Sequence, residues 1–195
     1  MNTTSVMIVG VGGQGSLLAS KLLGCVASDM GFDVKVSEVH GMSQRGGSVV
    51  TYVRFGEKVY SPVIAPGEAD YIVAFEKLEG ARYAHYLKKD GVLLVSTQEI
   101  KPMPVMTGKV AYPTDVTTKL LDEGVSLYAT DALTLAIKAG SAKAVNMVLM
   151  GCLASKMPAI SKEIWLEAIR KVVKPAFVDM NIKAFHLGYA SHMSL

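Results

Sequence analysis

The sequence has few of the residues that usually bind metals and redox centres. It contains two cysteines, Cys25 and Cys152, and no Cys-x-x-Cys pair, so it cannot supply the four thiolates of an iron–sulfur cluster by itself. Its four histidines show no metal-ligand spacing with one another or with carboxylates. We therefore expect no metal site in this chain, and we expect both cysteines to be small buried side chains.

Concentrated charge and long apolar runs are also lacking. The net charge is +3 and is spread along the chain without clusters, a pattern that favours neither nucleic acid nor an anionic membrane as a partner. The longest apolar stretches are interrupted by Lys21 or Lys156 and fall short of the roughly 20 residues that span a bilayer. The first apolar run has no basic stretch before it, unlike a signal peptide. These features predict a cytoplasmic protein.

Length and patterning favour one α/β domain. The chain has 195 residues, half of them apolar, which is enough to bury a full core. Apolar strand patterns alternate with helical ones, and no internal repeat or linker interrupts them. We predict a single domain over residues 1–195, with a Rossmann-like, open, mostly parallel sheet, an added β-hairpin and a helical C-terminal part.

A glycine-rich loop follows the first predicted strand, Val6–Val9, and leads into a predicted helix, Ser16–Met30. Glycines let a backbone turn sharply and approach a ligand closely, and the amides at a helix N-terminus favour an anion. The alternative is that the glycines only form a tight turn that lets the helix pack against the strand. The candidate residues for a phosphate-binding or interface loop are Gly10, Gly12, Gly13, Gln14 and Gly15.

The second predicted strand, Val34–Val39, carries Glu38 where a dinucleotide-binding fold places its ribose-binding acid. Such a fold then needs a crossover of about a dozen residues before its next parallel strand. Only residues 40–47 connect Val39 to the next predicted strand, Ser48–Phe55. This connection is too short to contain a crossover helix. The pattern instead predicts a hairpin of Ser48–Phe55 with Lys58–Tyr60.

The short connection after Val39 is a second candidate site. It should lie at the carboxyl edge of the sheet beside the glycine loop, where open α/β sheets bind ligands and partners. Arg45 offers a planar fork for an anionic group, although a salt bridge at an interface or a contact that braces the loop would explain it equally. The candidates in this loop, which faces an active site or an interface, are Ser43, Gln44, Arg45, Gly46 and Gly47.

The rest of the chain continues the alternation. A helix at 144–156 is apolar on more than one side, which indicates either a core helix or a methionine-rich subunit interface. Further elements are predicted as follows: strands at 70–75, 92–96, 109–112 and 126–129, helices at 76–89, 114–122, 131–139, 162–173 and 175–190, and a loop at 97–108.

These motifs resemble the gamma module of the 2-oxoacid:ferredoxin oxidoreductases. The resemblance rests on the glycine loop, on the segment from His40 to Val49, on Tyr60-Ser61-Pro62 and on Gly67-Glu68-Ala69-Asp70. It covers nearly the whole chain. Two long motifs at the right separation make it specific, which the glycine loop alone would not.

The resemblance implies a subunit that is inactive alone and assigns no catalytic residue to it. The complex would convert a 2-oxoacid and CoA, as co-substrate, to an acyl-CoA and carbon dioxide while reducing ferredoxin. Indolepyruvate or another aryl pyruvate is the expected substrate, and pyruvate, 2-oxoglutarate or a branched-chain 2-oxoacid is the alternative. Thiamine diphosphate, magnesium and the iron–sulfur clusters would be on a large alpha subunit, because this sequence has no thiamine-diphosphate motif.

Two other functions fit the same residues. A free-standing dinucleotide-dependent reductase would use Glu38 and the glycine loop, but the missing crossover helix counts against it. A purely structural partner would pack the glycine loop against another chain and bind no small molecule. Titration with NADH, NADPH and CoA would separate these readings.

Overall fold

The computed structural model describes residues 3–40 and 47–191, and one six-stranded sheet organises them. Its strands in spatial order are β2, β3, β1, β4, β5 and β6. Strands β1, β4, β5 and β6 run parallel, whereas β3 is antiparallel to both of its neighbours. This arrangement confirms the mostly parallel α/β prediction. The strands are β1 (Thr4–Val11), β2 (Asp33–His40), β3 (Ser48–Gly56), β4 (Ala69–Ala74), β5 (Leu87–Ser96) and β6 (Ser126–Thr130).

The antiparallel strand lies inside the sheet and pairs with β2, the strand before it in the chain, rather than with residues 58–60. β3 is inserted between β1 and β2 and pairs with each over eight positions. The predicted hairpin of Ser48–Phe55 with Lys58–Tyr60 is wrong, because residues 58–60 form no strand. A side chain holds that segment instead: the Val59 amide donates to Asp33 Oδ2 at 2.9 Å. The prediction that no helix connects Val39 to Ser48 is consistent with the antiparallel pairing of β2 and β3.

Helices cover both faces of this sheet, and the last part of the described chain is helical as predicted. α6 is buried over its first ten residues and packs along α8, so the core-helix interpretation of this segment is correct. The helices are α1 (Ser16–Asp29), α2 (Lys77–Tyr83), α3 (Met103–Met106), α4 (Val116–Asp122), α5 (Ala132–Ala139), α6 (Val145–Ser155), α7 (Lys162–Val172) and α8 (Val178–Ala190).

Side chains that alternate along β1 divide the core into two layers. Val6 and Ile8 belong to the layer formed with α1 and α6, and Met7 and Val9 belong to the layer under α2 and α4. All four are fully buried, as expected for a central strand whose successive side chains point to opposite faces. The sheet therefore holds the loops at its carboxyl edge on a rigid base.

Three further predicted elements differ from the structure. The segment expected to be a loop over 97–108 contains α3, because the Val105 and Met106 amides donate to the Pro102 carbonyl and close one helical turn. The helix expected over 76–89 ends at Tyr83, and β5 already begins at Leu87. The β4–β5 register shifts between the pairs Ala69–Leu87 and Tyr71–Val92, and this irregularity admits the polar residues that interrupt the strand pattern. The strand expected at 109–112 does not form, because the Lys109 and Val110 amides both donate to the Pro104 carbonyl and turn the chain back. Within the described ranges, no helix is both long and apolar enough to cross a membrane.

Candidate functional site

The glycine loop turns from β1 into α1 through two backbone conformations that side chains disfavour. Gly13 has φ +99° and Gly15, the residue that caps α1, has φ +87°. No atom of the described residues lies within 4 Å of a Cβ built on Gly13. The loop can therefore receive a ligand or another chain in direct contact with its backbone.

The amides of this loop do not all point outward. Gly12 N donates to the carbonyl of Gly47 at 2.9 Å, and Gln14 N donates to the carbonyl of Val11 at 3.3 Å. Among the described residues, the amides of Gly13 and Gly15 find no acceptor. Within the part of the chain that the structure describes, the loop therefore offers these two amides together with the very start of α1, since the Leu18 and Ala19 amides already donate to the Gly15 carbonyl at 3.2 and 3.3 Å.

The Gln14 side chain braces the loop. Its Oε1 accepts from the Val11 amide at 2.7 Å, and its Nε2 donates to the Phe75 carbonyl at 3.0 Å and lies 3.4 Å from Gln98 Oε1. These contacts connect the glycine loop to the ends of β4 and β5. The side chain is thus a structural part of the site, and Gln14 also lines the cleft on the α6 side of the loop.

Asn146 supports the same loop from the start of α6. Its Nδ2 lies 3.4 Å from the Gly15 carbonyl, and a Cβ on Gly15 would approach that nitrogen to 2.8 Å. Asn146 is buried. No sequence pattern predicts this contact, because a single asparagine in an apolar helical segment has no distinctive spacing.

Two clefts flank the glycine loop and differ in charge. The first, of about 390 Å³, lies toward β2 and includes Glu38, whose Oε1 is 3.5 Å from Ser16 Oγ. The negative charge of this carboxylate disfavours the binding of an anion in the first cleft. The residues that line the first cleft are Gly12, Gly13, Gly15, Ser16, Leu17, Glu38 and Val49.

The second cleft, of about 430 Å³, lies toward α6 and includes Lys143 and Gln98. Gly13 and Gly15 line both clefts. No described carboxylate forms an ion pair with Lys143. A lysine beside two free amides favours an anionic group in this second cleft.

Of the five candidate residues in the second loop, only the last, Gly47, lies within the described residues. Ser43, Gln44, Arg45 and Gly46 lie outside the described residues. Gly47 is bonded to Gly12, as given above, so the two loops meet at the carboxyl edge as the sequence predicted.

The residue after this loop is bound to a carboxylate that sequence reasoning missed. Ser48 Oγ donates to Glu79 Oε2 at 2.5 Å and lies 3.2 Å from the Tyr83 hydroxyl. Glu79 is buried and also accepts from Arg82 Nε at 3.2 Å. The interaction fixes the point at which the chain leaves the loop. In the sequence, Glu79 has the pattern of a solvent-exposed helix residue. Its burial depends on the position of β3 beside β1, which no local pattern predicts.

A second buried carboxylate, Glu76, begins α2 next to the Gln14 brace. Its side chain accepts from the Glu79 amide, the Ile100 amide and the Tyr112 hydroxyl. Burial and this hydrogen bond to Glu76 raise the pKa of the Tyr112 phenol well above its usual value. Within residues 3–40 and 47–191, no group of three histidine, cysteine or acidic side chains is arranged to hold a metal ion.

The family model described as pyruvate ferredoxin/flavodoxin oxidoreductase matches residues 5–191. The chain belongs to this family. It is 46% identical to the indolepyruvate oxidoreductase subunit IorB of Thermococcus kodakarensis over 193 residues, which cover 96% of this chain and 95% of the relative. The Archaeoglobus fulgidus protein of the same name is 38% identical, with 97% and 96% covered.

Solved structures share the fold. The gamma subunit of keto/oxoacid ferredoxin oxidoreductase from Geobacter sulfurreducens is 24% identical with a TM-score of 0.73, covering 98% of this chain and 99% of that one. The 2-oxoglutarate:ferredoxin oxidoreductase from Magnetococcus marinus is 19% identical with a TM-score of 0.76, covering all of this chain and 32% of that one. The fold thus occurs both as a separate chain and as about a third of a longer one.

Proposed function

We propose that this chain is the smaller subunit of an indolepyruvate oxidoreductase. The observation that carries the proposal is the 46% identity over nearly the full length of both proteins to a subunit of that name. The complex would convert indolepyruvate and CoA to the acyl-CoA and carbon dioxide and pass two electrons to ferredoxin. Residues 1–195 would act as one gamma-type domain, in the cytoplasm.

The thiamine diphosphate, magnesium and iron–sulfur clusters belong in this proposal to a large alpha subunit. Thiamine diphosphate supplies the electron sink for the carbanion formed when the 2-oxoacid loses carbon dioxide. The two cysteines of this sequence cannot ligate a cluster that needs four thiolates. Ferredoxin would exchange electrons with the complex through the large subunit.

The carboxyl edge would face the active-site entrance of that subunit. Gly13 and Gly15 offer free amides there, and Lys143 adds a positive charge on the α6 side. An anionic group, such as a phosphate of CoA, fits the cleft with Lys143 better than the cleft with Glu38. The loop that contains Ser43, Gln44, Arg45 and Gly46 would complete this edge, because Gly47 joins it to Gly12.

A free-standing dinucleotide-dependent reductase fits the geometry poorly. In dinucleotide-binding folds β2 lies beside β1, so that the acid at the end of β2 is near the glycine loop. Here β3 separates them, which moves Glu38 away from β1 by one further strand spacing of about 4.8 Å. The position of β3 therefore favours the subunit function.

The test is reconstitution. The chain would be produced alone and together with its large subunit, and both samples would be assayed without oxygen with ferredoxin, CoA and four substrates: indolepyruvate, pyruvate, 2-oxoglutarate and a branched-chain 2-oxoacid. We expect turnover only in the complex, and the fastest with indolepyruvate. Tight binding of NADH or NADPH by the isolated chain, with no turnover in the complex, would favour the reductase instead.

A further inference from the structure

Residues 101–111, named here the methionine loop, form an exposed apolar projection between β5 and α4. Met103 and Met106 lie one helical turn apart on α3 and are 68% and 69% exposed, and Val110 is 56% exposed. The segment folds back on itself, because the Lys109 amide donates to the carbonyl of Pro104 at 2.9 Å. Clustered exposed apolar side chains of this kind mark interaction surfaces.

One buried carboxylate closes the neck of this loop. Glu76 is 1% exposed, and its Oε1 accepts from the Ile100 amide at 3.1 Å, just before the loop, and from the Tyr112 hydroxyl at 2.5 Å, just after it. A buried carboxylate is costly unless it is fully hydrogen-bonded. Because both ends are held, the loop is preorganised, and binding through it would cost less ordering entropy than binding through a free segment.

The neck is also joined to the glycine loop. The Lys77 amide donates to the Gln98 carbonyl at 3.1 Å, and Gln98 Oε1 faces Gln14 Nε2 at 3.4 Å. The methionine loop and the candidate site therefore share the carboxyl edge of the sheet. A chain that covers this edge would meet both.

The charge around the exposed methionines is positive. Lys101 and Lys109 are exposed and form no ion pair with a described carboxylate, whereas Glu99 is already paired with Lys77 at 2.5 Å. Methionine is unbranched and fits irregular apolar depressions. The complementary surface is thus an apolar depression with a rim of carboxylates.

We propose that the methionine loop docks into such a depression on the large subunit. The inference rests on the proposed function, and it adds the contact that joins the subunits. In the longer chain that contains this fold, two thirds of the polypeptide lies outside it, and a surface of this kind is where such additional protein would pack. A second copy of the chain and a lipid surface are the competing occupants.

The test measures the affinity of the full chain for the large subunit, with the two produced separately. We expect Met103→Asp combined with Met106→Asp to weaken binding about tenfold or more, as for residues central to an interface. Ile137→Asp is the matched control, because Ile137 is 59% exposed on α5 and is not part of the methionine loop. The melting temperature of each variant would show that it folds.

Charge reversal provides a second, independent variant. Lys101→Glu combined with Lys109→Glu should slow association, and added salt should reduce the difference from the wild-type chain, because opposite charges steer encounters, like charges repel, and salt screens both. Wild-type affinity in both double variants, with the wild-type chain assembling and turning over, would overturn the inference but not the proposed function. No assembly by the wild-type chain would overturn both. Loop-dependent dimerisation, or loop-dependent binding to vesicles of anionic phospholipid, would assign the surface to another occupant.

Discussion

Gln14 Nε2 lies 3.0 Å from the carbonyl oxygen of Phe75, so one side chain joins the glycine loop to the end of β4. The other end of the same amide accepts from the Val11 amide at 2.7 Å. Both ends of the side chain are therefore engaged with the protein itself. The shape of the loop depends on a residue that the sequence pattern alone assigned to the ligand-facing set.

Replacing this side chain should destabilise the fold. We expect Gln14→Leu to lower the free energy of unfolding by about 1–3 kcal/mol, because the Phe75 carbonyl and the Val11 amide lose their partner. Gln98→Leu is the control, since it removes only the 3.4 Å contact and should cost less than about 1 kcal/mol. Urea unfolding gives both values, and equal values for the two variants would mean that Gln14 is no brace.

Alanine at Gly13 and at Gly15, the two glycines of positive φ in the glycine loop, should distinguish the cost of backbone strain from the cost of steric crowding. Gly13→Ala should cost about 1–2 kcal/mol from the left-handed backbone alone, and Gly124→Ala, at φ +81° and also with no described atom within 4 Å of the added Cβ, sets that reference. Gly15→Ala should cost about 1 kcal/mol more, because its Cβ would meet Asn146. A smaller loss for Gly15→Ala than for Gly13→Ala would contradict the assigned packing.

Gly13→Val should also affect assembly, because a β-branched side chain blocks close approach to the loop backbone. We expect this variant to bind the large subunit less tightly than Gly124→Val, which places the same side chain at a positive φ but is located after α4. Binding measured in parallel with the melting temperature distinguishes a lost contact from a lost fold.

Local sequence patterns predict much of this fold. The features that depend on pairing between distant segments could not be predicted from them. The turn from β1 into α1 follows from glycines next to a strand, and the short link before Ser48 agrees with the antiparallel pairing of β2 and β3. The insertion of β3 between β1 and β2 was not predictable, because Ser48–Gly56 alternates in the same way whether it pairs with a neighbour in sequence or with β1. The roles of Glu76 and Asn146 depend on contacts 24 to 131 residues away, which no local pattern encodes.

Arg45 remains a prediction from the sequence. If it faces the active-site entrance, Arg45→Ala should change the free energy of unfolding by less than about 0.5 kcal/mol while weakening assembly or turnover. Arg45→Lys keeps the charge but loses the bidentate fork, so it should recover assembly only in part. Parent-like assembly and turnover in Arg45→Ala would remove this residue from the proposed site.

The Glu76–Tyr112 contact should make stability depend on alkaline pH. The pKa of Tyr112 is raised in the folded chain by burial and by Glu76, so above about pH 10 the unfolded chain loses this proton first. The contribution of protonated Tyr112 to the free energy of unfolding is complete below that pH. It is lost as the pH rises toward the pKa of Tyr112 in the folded chain. The fall in unfolding free energy between pH 8 and pH 10.5 should be smaller in Tyr112→Phe than in the parent, and Tyr60→Phe, at an exposed site, should leave it unchanged.

Two glycines on helices should respond to alanine in opposite directions. A Cβ on Gly188 would lie 1.9 Å from the Val148 carbonyl oxygen, where α6 and α8 cross, whereas a Cβ on Gly24 of α1 has its nearest neighbours at 3.9 and 4.0 Å. Gly188→Ala should therefore cost at least about 3 kcal/mol, because the helices must separate. Gly24→Ala should gain about 0.5–1 kcal/mol from helix propensity. Thermal and urea unfolding of the two variants measures both effects, and a neutral Gly188→Ala would show that α6 and α8 are not in the close contact that buries Met147 and Phe185.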